Sequence, residues 1–199
     1  MIFSSNMPEP DPALANLKKA CELIKNGKII VFPTETVYGL GCSINYPETV
    51  QQLFQIKRRP PKKPMQILIA NTEQIKTLSH NLSPLAEEII KKHTPGPFTF
   101  LVFKSMAVPD LVTCGSLKVG LHFPDHELAI KLINTCGPLV ATSANISGEK
   151  ETVTFAQAQA AFPDLFVLPG EEPKYRTASA VIDLTTPEMK ILRAGPIKI

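Results

Sequence analysis

Short apolar runs alternate with segments whose apolar residues recur at helical spacing, and this alternation limits the possible folds more than any other feature. The runs at 28–32, 65–70 and 138–142 have the length of buried strands, whereas 125–136 has the period of an amphipathic helix. Such alternation is typical of α/β layer architectures with a mixed or largely parallel sheet. With 199 residues, 44% of them hydrophobic, the chain fits a single domain with a sizeable core.

Capping residues, glycines and prolines delimit the remaining elements. Asp11 is a candidate N-cap for the first helix, and Gly27 follows its end. Residues 33–41 are expected to form a loop, and a capping box of Asn45 and Glu48 is expected to begin the next helix. Further helices are predicted at 72–79, 84–93 and 154–162, and further strands at 94–103, 117–123, 165–168, 179–184 and 190–193.

The second predicted helix has an unusual residue at the end of its apolar stripe. The stripe consists of Val50, Leu53 and Phe54, and Pro60 ends the helix. The next position at this spacing is Lys57. We therefore expect Lys57 to point toward the body of the protein.

The positive charge of the chain is concentrated in residues 57–64, which read KRRPPKKP and contain five basic residues and no acidic ones. Of the 21 basic residues, 16 remain outside this segment against 18 acidic residues. Clustered cations are costly unless solvent or a polyanion screens them. The segment is thus a solvated loop, a patch for nucleic acid, or a phosphate site for a small ligand. Few aromatic residues are available for base stacking, which disfavours the second interpretation.

Several protein classes are disfavoured. The apolar runs are far shorter than the ~20 residues of a membrane-spanning helix. The first residues, MIFSSNMPEPDP, resemble no secretory signal. The four cysteines form no CxxC pair, which favours reduced thiols in a cytoplasmic protein. Because the apolar runs are short, no membrane partner is expected.

Common catalytic and metal-binding motifs are missing from the sequence. Neither GxxxxGK[ST] nor GxGxxG occurs, and neither GxSxG nor HExxH is present. His122 and His126 are four residues apart, but Pro124 lies between them at a strand-to-helix junction. No metal site is therefore predicted, and at least one of these histidines is expected to cap or pack.

Small polar groups follow three of the predicted strands. Thr34–Thr36 follow the first strand, His126 follows another, and Ser143 and Asn145 follow the strand at 138–142. Ligands of open α/β sheets bind beyond the carboxyl ends of strands, so these groups are candidates for one site. On spacing alone, Ser143 and Asn145 fit a simple turn equally well, and Arg193 could be an ordinary surface arginine.

The combination of these segments is more specific than any one of them. In order, the chain contains PTETVYGLG (33–41), KRRP with Lys63 after it, TPGPFTF (94–100), FPDH (123–126), TSANISG (142–148), SAVIDL (179–184) and ILRAG (191–195). Together they resemble the YrdC-like family, the threonylcarbamoyl-AMP synthases, over roughly residues 14–197. The resemblance implies one YrdC-like domain over 13–199 after an N-terminal arm at 1–12. Its sheet would be twisted, open and mixed or mostly parallel, with flanking helices and a concave basic cleft.

The resemblance also implies an activity. Members of the family make threonylcarbamoyl-AMP from L-threonine, bicarbonate and ATP, with Mg²⁺ accompanying the ATP, and release pyrophosphate. The product serves proteins that transfer the threonylcarbamoyl group to tRNA, and tRNA itself is a further possible partner.

Matching the family motifs residue by residue assigns roles to positions of this chain. Lys57 and Arg59 would be catalytic. The ATP-binding residues would be Arg59, Lys63, Lys118, Ala141, Asn145 and Arg193. The threonine-binding residues would be Thr36, His122, Ser143 and Ser179.

His122 stands where the family pattern has an arginine. Histidine forms no bidentate contact with a carboxylate and is mostly neutral near pH 7. Either threonine binding is weaker and rescued by another cation, or the amino-acid substrate differs. Two other functions stay open: a YrdC-like paralogue with another carbamoyl or nucleotide activity, and a module that binds double-stranded RNA.

Overall fold

The computed structural model describes residues 11–199. Of the expected N-terminal arm, residues 1–10 lie outside this range, and Asp11 and Pro12 belong to the start of the first helix. The helices are α1 (Pro12–Lys25), α2 (Pro47–Ile56), α3 (Thr72–Leu78), α4 (Pro84–His93), α5 (Asp110–Thr113), α6 (Glu127–Cys136) and α7 (Phe155–Ala161). The strands are β1 (Ile30–Phe32), β2 (Gly39–Ser43), β3 (Gln66–Leu68), β4 (Phe98–Phe103), β5 (Lys118–His122), β6 (Leu139–Ser143), β7 (Phe166–Val167), β8 (Ala180–Asp183) and β9 (Lys190–Arg193).

All nine strands form one open sheet in the order β7-β1-β2-β6-β3-β5-β4-β8-β9. The pairs β1–β7, β3–β5 and β4–β8 are parallel, and the other five pairs are antiparallel. The predicted α/β class and mixed sheet are confirmed. Three of the five antiparallel pairs, β1–β2, β4–β5 and β8–β9, join consecutive strands, where the chain returns beside the strand it has just left.

Two details predicted near the second helix are wrong. Residues 39–41 are not part of a loop, because they begin β2, which pairs with both β1 and β6. The N-cap of α2 is Tyr46, without a side-chain hydrogen bond, so Asn45 and Glu48 form no capping box. Pro47 starts the helix instead, since its fixed φ suits the first helical position.

Side-chain caps begin several other helices as their sequences predict. The side chain of Asp11 accepts from the backbone of Ala13, and Ser83 and Thr154 cap α4 and α7 in the same manner. Each cap satisfies a backbone N–H that the helix leaves without a partner. No helix of residues 11–199 is long and apolar enough to cross a membrane.

The alternation of side chains along the strands separates two apolar clusters on the two faces of the sheet. One cluster contains Val31 and Val140 together with buried residues of α2, α3, α4, α5 and α7. The other contains Phe32 and Leu139, packed under α1 and α6. Within this second cluster, none of the buried members that the structure describes comes from β4, β5 or β8. On the face of α1 and α6, the sheet is therefore left open over those strands.

We expect the apolar stripe of α2 to be essential for stability, because it anchors the helix that carries Lys57. Leu53 is fully buried, whereas Leu14 on α1 is 64% exposed. Leu53→Ala should lower the free energy of unfolding by about 2–5 kcal/mol, the cost of deleting a buried leucine side chain. Leu14→Ala, the same chemical change, should cost less than about 0.5 kcal/mol. Urea denaturation measures both values, and similar losses in the two variants would contradict the packing described here.

Candidate functional site

A cavity of about 550 Å³ lies over the open part of the sheet. Its floor includes Gln66 of β3, Thr99 of β4, Gly120 of β5 and Ala141 of β6. Five cationic side chains line it: Lys57, Arg59, Lys63, Lys118 and Arg193. Among the described lining residues, Glu151 is the one carboxylate. The cavity is therefore suited to an anion that carries several charges.

The structure brings together nearly all of the residues singled out in the sequence. The cavity is lined by Thr36, Lys57, Arg59, Lys63, Lys118, Ala141, Ser143, Asn145, Ser179 and Arg193. Elements distant in the chain supply them, including the end of α2, the turn after β6 and the edge strand β9. His122 is the exception among the residues matched to the family motifs, because it does not line the cavity. Of the candidates chosen because they follow a strand, Thr34 and His126 do not line it either.

Lys57 is a buried cation whose charge is held by the turn after β6. Its exposed fraction is 2%, as expected from the apolar stripe that precedes it. The ammonium Nζ donates to the carbonyl oxygens of Ser143 at 2.6 Å and Asn145 at 2.9 Å. It also donates to Asn145 Oδ1 at 2.8 Å and lies 3.3 Å from Ser143 Oγ. An ammonium has three N–H bonds, so these protein acceptors occupy all of them.

The burial of Lys57 changes its acidity. Desolvation, followed by the charges of Arg59 and Lys63, lowers the pKa of Lys57 to about 8. Desolvation and neighbouring positive charge both disfavour the protonated form. The Lys57 ammonium therefore loses its proton at a lower pH than an exposed lysine does.

The turn that surrounds Lys57 is rigid through its own hydrogen bonds. Ser143 Oγ donates to Asn145 Oδ1 at 2.7 Å, and Asn145 Nδ2 donates to the carbonyl oxygens of Glu149 and Ile146. The backbone of the turn is also tied back to the helix, because the N–H of Ser147 donates to the carbonyl of Lys57. Ser143 and Asn145 therefore do more than form a simple turn, since both are fixed around a cation at the cavity wall.

The basic segment at 57–64 divides into inward and outward residues. Arg59 Nε donates to the carbonyl of Lys63, and Arg59 Nη2 donates to that of Pro64. Arg59 Nη1 lies 3.3 Å from Thr142 Oγ1. Arg58, with a φ of 50°, is exposed, and so is Lys62. The solvated-loop interpretation thus fails for the residues that enter the cavity.

Two further cations reach the cavity from the opposite side, and each is fixed by a partner. Lys118 Nζ bonds Asp183 Oδ2 at 2.8 Å. Burial opposes the ionisation of Asp183, but hydrogen bonds from Lys118 and Thr185 outweigh it and hold its pKa below the usual range. Arg193 Nε donates to the carbonyl of Ser179 at 3.0 Å, and Nη2 lies 3.3 Å from its hydroxyl. Arg193 is therefore no ordinary surface arginine.

His122 contacts a protein carboxylate instead of the cavity. Its Nε2 lies 3.0 Å from Glu35 Oε1, and each side chain is only 2% exposed. The contact is not aligned as a hydrogen bond, and both Glu35 oxygens are buried without a hydrogen-bond partner in the described chain. His122 is predicted to bind threonine. In the structure its imidazole instead faces Glu35, in the loop after β1, and does not reach the cavity.

The sequence analysis missed two polar residues of the floor. Gln66 and Thr99 are joined by a hydrogen bond of 2.8 Å. Both interrupt otherwise apolar strand patterns, MQILIA and FTFLVF, and lie on the open face. A polar residue within an otherwise apolar strand was the sequence signal that could have identified both.

The chain is similar to a known protein family and to solved structures. The family model Sua5/yciO/yrdC, described as telomere recombination, matches residues 22–195. A threonylcarbamoyl-AMP synthase of Pyrococcus abyssi is 36% identical over 92% of this chain and 55% of its own length. One of Vibrio campbellii is 30% identical over 92% of this chain and its full length. The crystal structure of P. abyssi Sua5 complexed with L-threonine superposes with a TM-score of 0.88 at 36% identity, covering 94% of this chain and 56% of that one.

The chain thus spans little more than half the length of the Pyrococcus relatives and all of the Vibrio one. The predicted family resemblance is confirmed, because the family model covers most of the chain.

The acidity of Lys57 predicts a pH dependence of anion binding. Below pH 8 its ammonium is charged, and above about pH 8 it becomes a neutral amine with one N–H fewer for the turn. The affinity for inorganic tripolyphosphate should therefore fall as the pH rises through about 8, as measured by calorimetry between pH 7 and 9.5. Lys57→Arg keeps its charge throughout this range and should lack that fall. A constant affinity in the unmodified protein, or the same fall in Lys57→Arg, would contradict the assignment.

The buried contact between His122 and Glu35 predicts a stability effect. His122→Ala removes the polar neighbour of the buried Glu35 carboxyl group and should lower the free energy of unfolding by about 1–3 kcal/mol, the cost of leaving a buried polar group without a partner. Replacing both residues with leucine should recover most of this loss, because a buried polar pair can be exchanged for apolar side chains of similar volume at little cost. Chemical denaturation tests both variants. A loss below about 1 kcal/mol in His122→Ala would show that the contact is unimportant.

Proposed function

Because this chain belongs to the Sua5/yciO/yrdC family, we propose that it makes threonylcarbamoyl-AMP from L-threonine, bicarbonate and ATP and releases pyrophosphate. The observation that supports this most is the meeting of the basic segment and the turn after β6 at one cavity, with Lys57 bonded directly to Asn145. P. abyssi Sua5, which this chain resembles in sequence and fold, has been seen with L-threonine.

The proposed chemistry explains why the cavity needs fixed cations. The amine of threonine and carbon dioxide form a carbamate, which must attack the α-phosphorus of ATP although both are anions. Cations held in place before the reaction stabilise the charge that gathers in the transition state, and this is typically the largest catalytic contribution. Arg59, Lys63, Lys118 and Arg193 would surround the phosphates. The rest of the rate comes from aligning the carbamate oxygen, phosphorus and pyrophosphate.

Lys57 would act differently from the other cations. Its three N–H bonds already point at Ser143 and Asn145. We therefore assign it the role of holding the turn in shape and adding positive potential, while Arg59 offers its guanidinium to the phosphates. This refines the prediction that both residues are catalytic.

Magnesium enters the scheme with the nucleotide, as part of the substrate. Mg²⁺ usually keeps several waters and takes one or two protein carboxylates besides substrate phosphates. Glu151, the one carboxylate among the described lining residues, would hold it. Within residues 11–199, no group of three His, Cys, Asp or Glu side chains could bind a metal alone.

The threonine end of the cavity would be formed by the hydroxyls of Thr36, Ser143 and Ser179. The family arginine is replaced by His122, which faces Glu35. Arg193, besides facing the phosphates, bonds Ser179 and would therefore place its positive charge beside that end as well. This favours rescue by a neighbouring cation over a change of amino-acid substrate. The tRNA-modifying partners and the cytoplasmic location stay predictions.

The proposal predicts that pyrophosphate release from ATP requires both L-threonine and bicarbonate. Arg59→Ala should reduce the rate roughly ten-fold or more, since it removes a charge from the transition state. Arg58→Ala, the matched change of an exposed neighbour, should leave the rate within about two-fold, as expected for a surface substitution. A coupled pyrophosphate assay measures these rates.

Two outcomes would replace the proposal. ATP turnover that ignores threonine would favour a paralogue with another carbamoyl or nucleotide activity. Affinity for double-stranded RNA that falls steeply with salt and needs no ATP would favour an RNA-binding module.

A further inference from the structure

A continuous chain of hydrogen bonds crosses the floor of the cavity. Arg193 Nη2 lies 3.3 Å from Ser179 Oγ, Ser179 Oγ lies 2.8 Å from Thr99 Oγ1, and Thr99 Oγ1 lies 2.8 Å from Gln66 Oε1. Thr99 and Ser179 are buried. These groups connect β9, the segment before β8, β4 and β3.

The direction of this chain follows from its two ends. Thr99 donates its proton to Gln66 Oε1, so toward Ser179 it can only accept. Arg193 can only donate and occupies a lone pair of Ser179, while the Ser179 hydroxyl donates its proton to Thr99. The amide group of Gln66 is thereby oriented, and its Nε2 is turned away from Thr99.

The Nε2 group of Gln66 is open to the cavity. It donates no hydrogen bond to another described residue, and it is not among the buried side-chain atoms that lack a partner. Gln66 pairs with Ala141 on one side and Gly120 on the other, and both of these small residues line the cavity. A ligand on the floor can therefore approach the amide without obstruction.

Cations line the same cavity as this amide. Arg59 and Lys118 are both lining residues, and Lys118 is two residues before Gly120, on the same side of β5. An N–H donor in a cavity rich in cations favours an anionic oxygen.

We propose that the Gln66 amide is a phosphate-binding group, which donates from Nε2 to a non-bridging oxygen of the polyphosphate chain of ATP. Thr99 is a positioning residue, which acts by orienting that amide. The proposal deepens the function proposed above and rests on it for the identity of the nucleotide. Binding of inorganic polyphosphate tests it separately from the reaction.

The decisive experiment is calorimetric titration of the whole chain with tripolyphosphate and, separately, with ATP. Gln66→Leu should weaken both ligands by roughly 10- to 100-fold, the loss expected for one hydrogen bond to a charged group. Gln66→Glu should weaken both further, because it adds a negative charge beside the phosphates. Thermal unfolding of each variant confirms that it is folded.

Substitutions of Thr99 test whether this residue orients the Gln66 amide or only supports the fold. Thr99→Val removes the hydroxyl at constant shape and should weaken tripolyphosphate at least about three-fold, whereas Thr99→Ser keeps the hydroxyl and should not. In the Gln66→Leu background, Thr99→Val should have almost no further effect, because the two residues act through one contact.

Four results would overturn the proposal. The first is an unchanged affinity in Gln66→Leu, and the second is a loss seen with ATP but not with tripolyphosphate. The third is additive effects of the Gln66 and Thr99 substitutions, and the fourth is failure of the unmodified chain to bind tripolyphosphate. If instead binding depends on Gln66 but pyrophosphate release ignores threonine, the proposed reaction fails and the phosphate contact stands.

Discussion

The site depends on one interaction, the insertion of the Lys57 ammonium into the turn after β6. A helix on one face of the sheet and a strand in its centre meet there, and four oxygens of Ser143 and Asn145 surround the charge. Without Lys57, the turn would expose carbonyl oxygens to a cavity meant for an anion. With it, those oxygens are satisfied and the wall becomes positive. The Lys57 side chain therefore both satisfies the oxygens of the turn and gives the cavity wall a positive charge.

Three of the remaining cations are fixed in the same way, by acceptors that belong to the protein. Arg59 is held by the carbonyls of its own segment, Lys118 by Asp183, and Arg193 by Ser179. Mutual repulsion among such charges is offset by these local bonds, so that little rearrangement is needed when a polyphosphate arrives. Preorganisation of this kind is what the proposed adenylation requires.

Sequence patterns predicted the elements and the inward direction of Lys57, because helical period and strand alternation determine which way a side chain faces. They did not predict which strands become neighbours. The placement of Gln66 between Ala141 and Gly120 results from pairing over long sequence distances. The same holds for His122, whose partner Glu35 lies 87 positions earlier in the chain. The capping box at Asn45 failed for a local reason, since Pro47 already suits the helix start.

The edge strand β9 has one neighbour, β8, and all four of its residues are exposed. Edge elements with so little burial open far more often than the whole chain unfolds. Each opening withdraws Arg193 from Ser179 while the centre of the sheet stays intact. Local opening of β9 would therefore remove one of the five cations from the cavity while the rest of the protein stays folded.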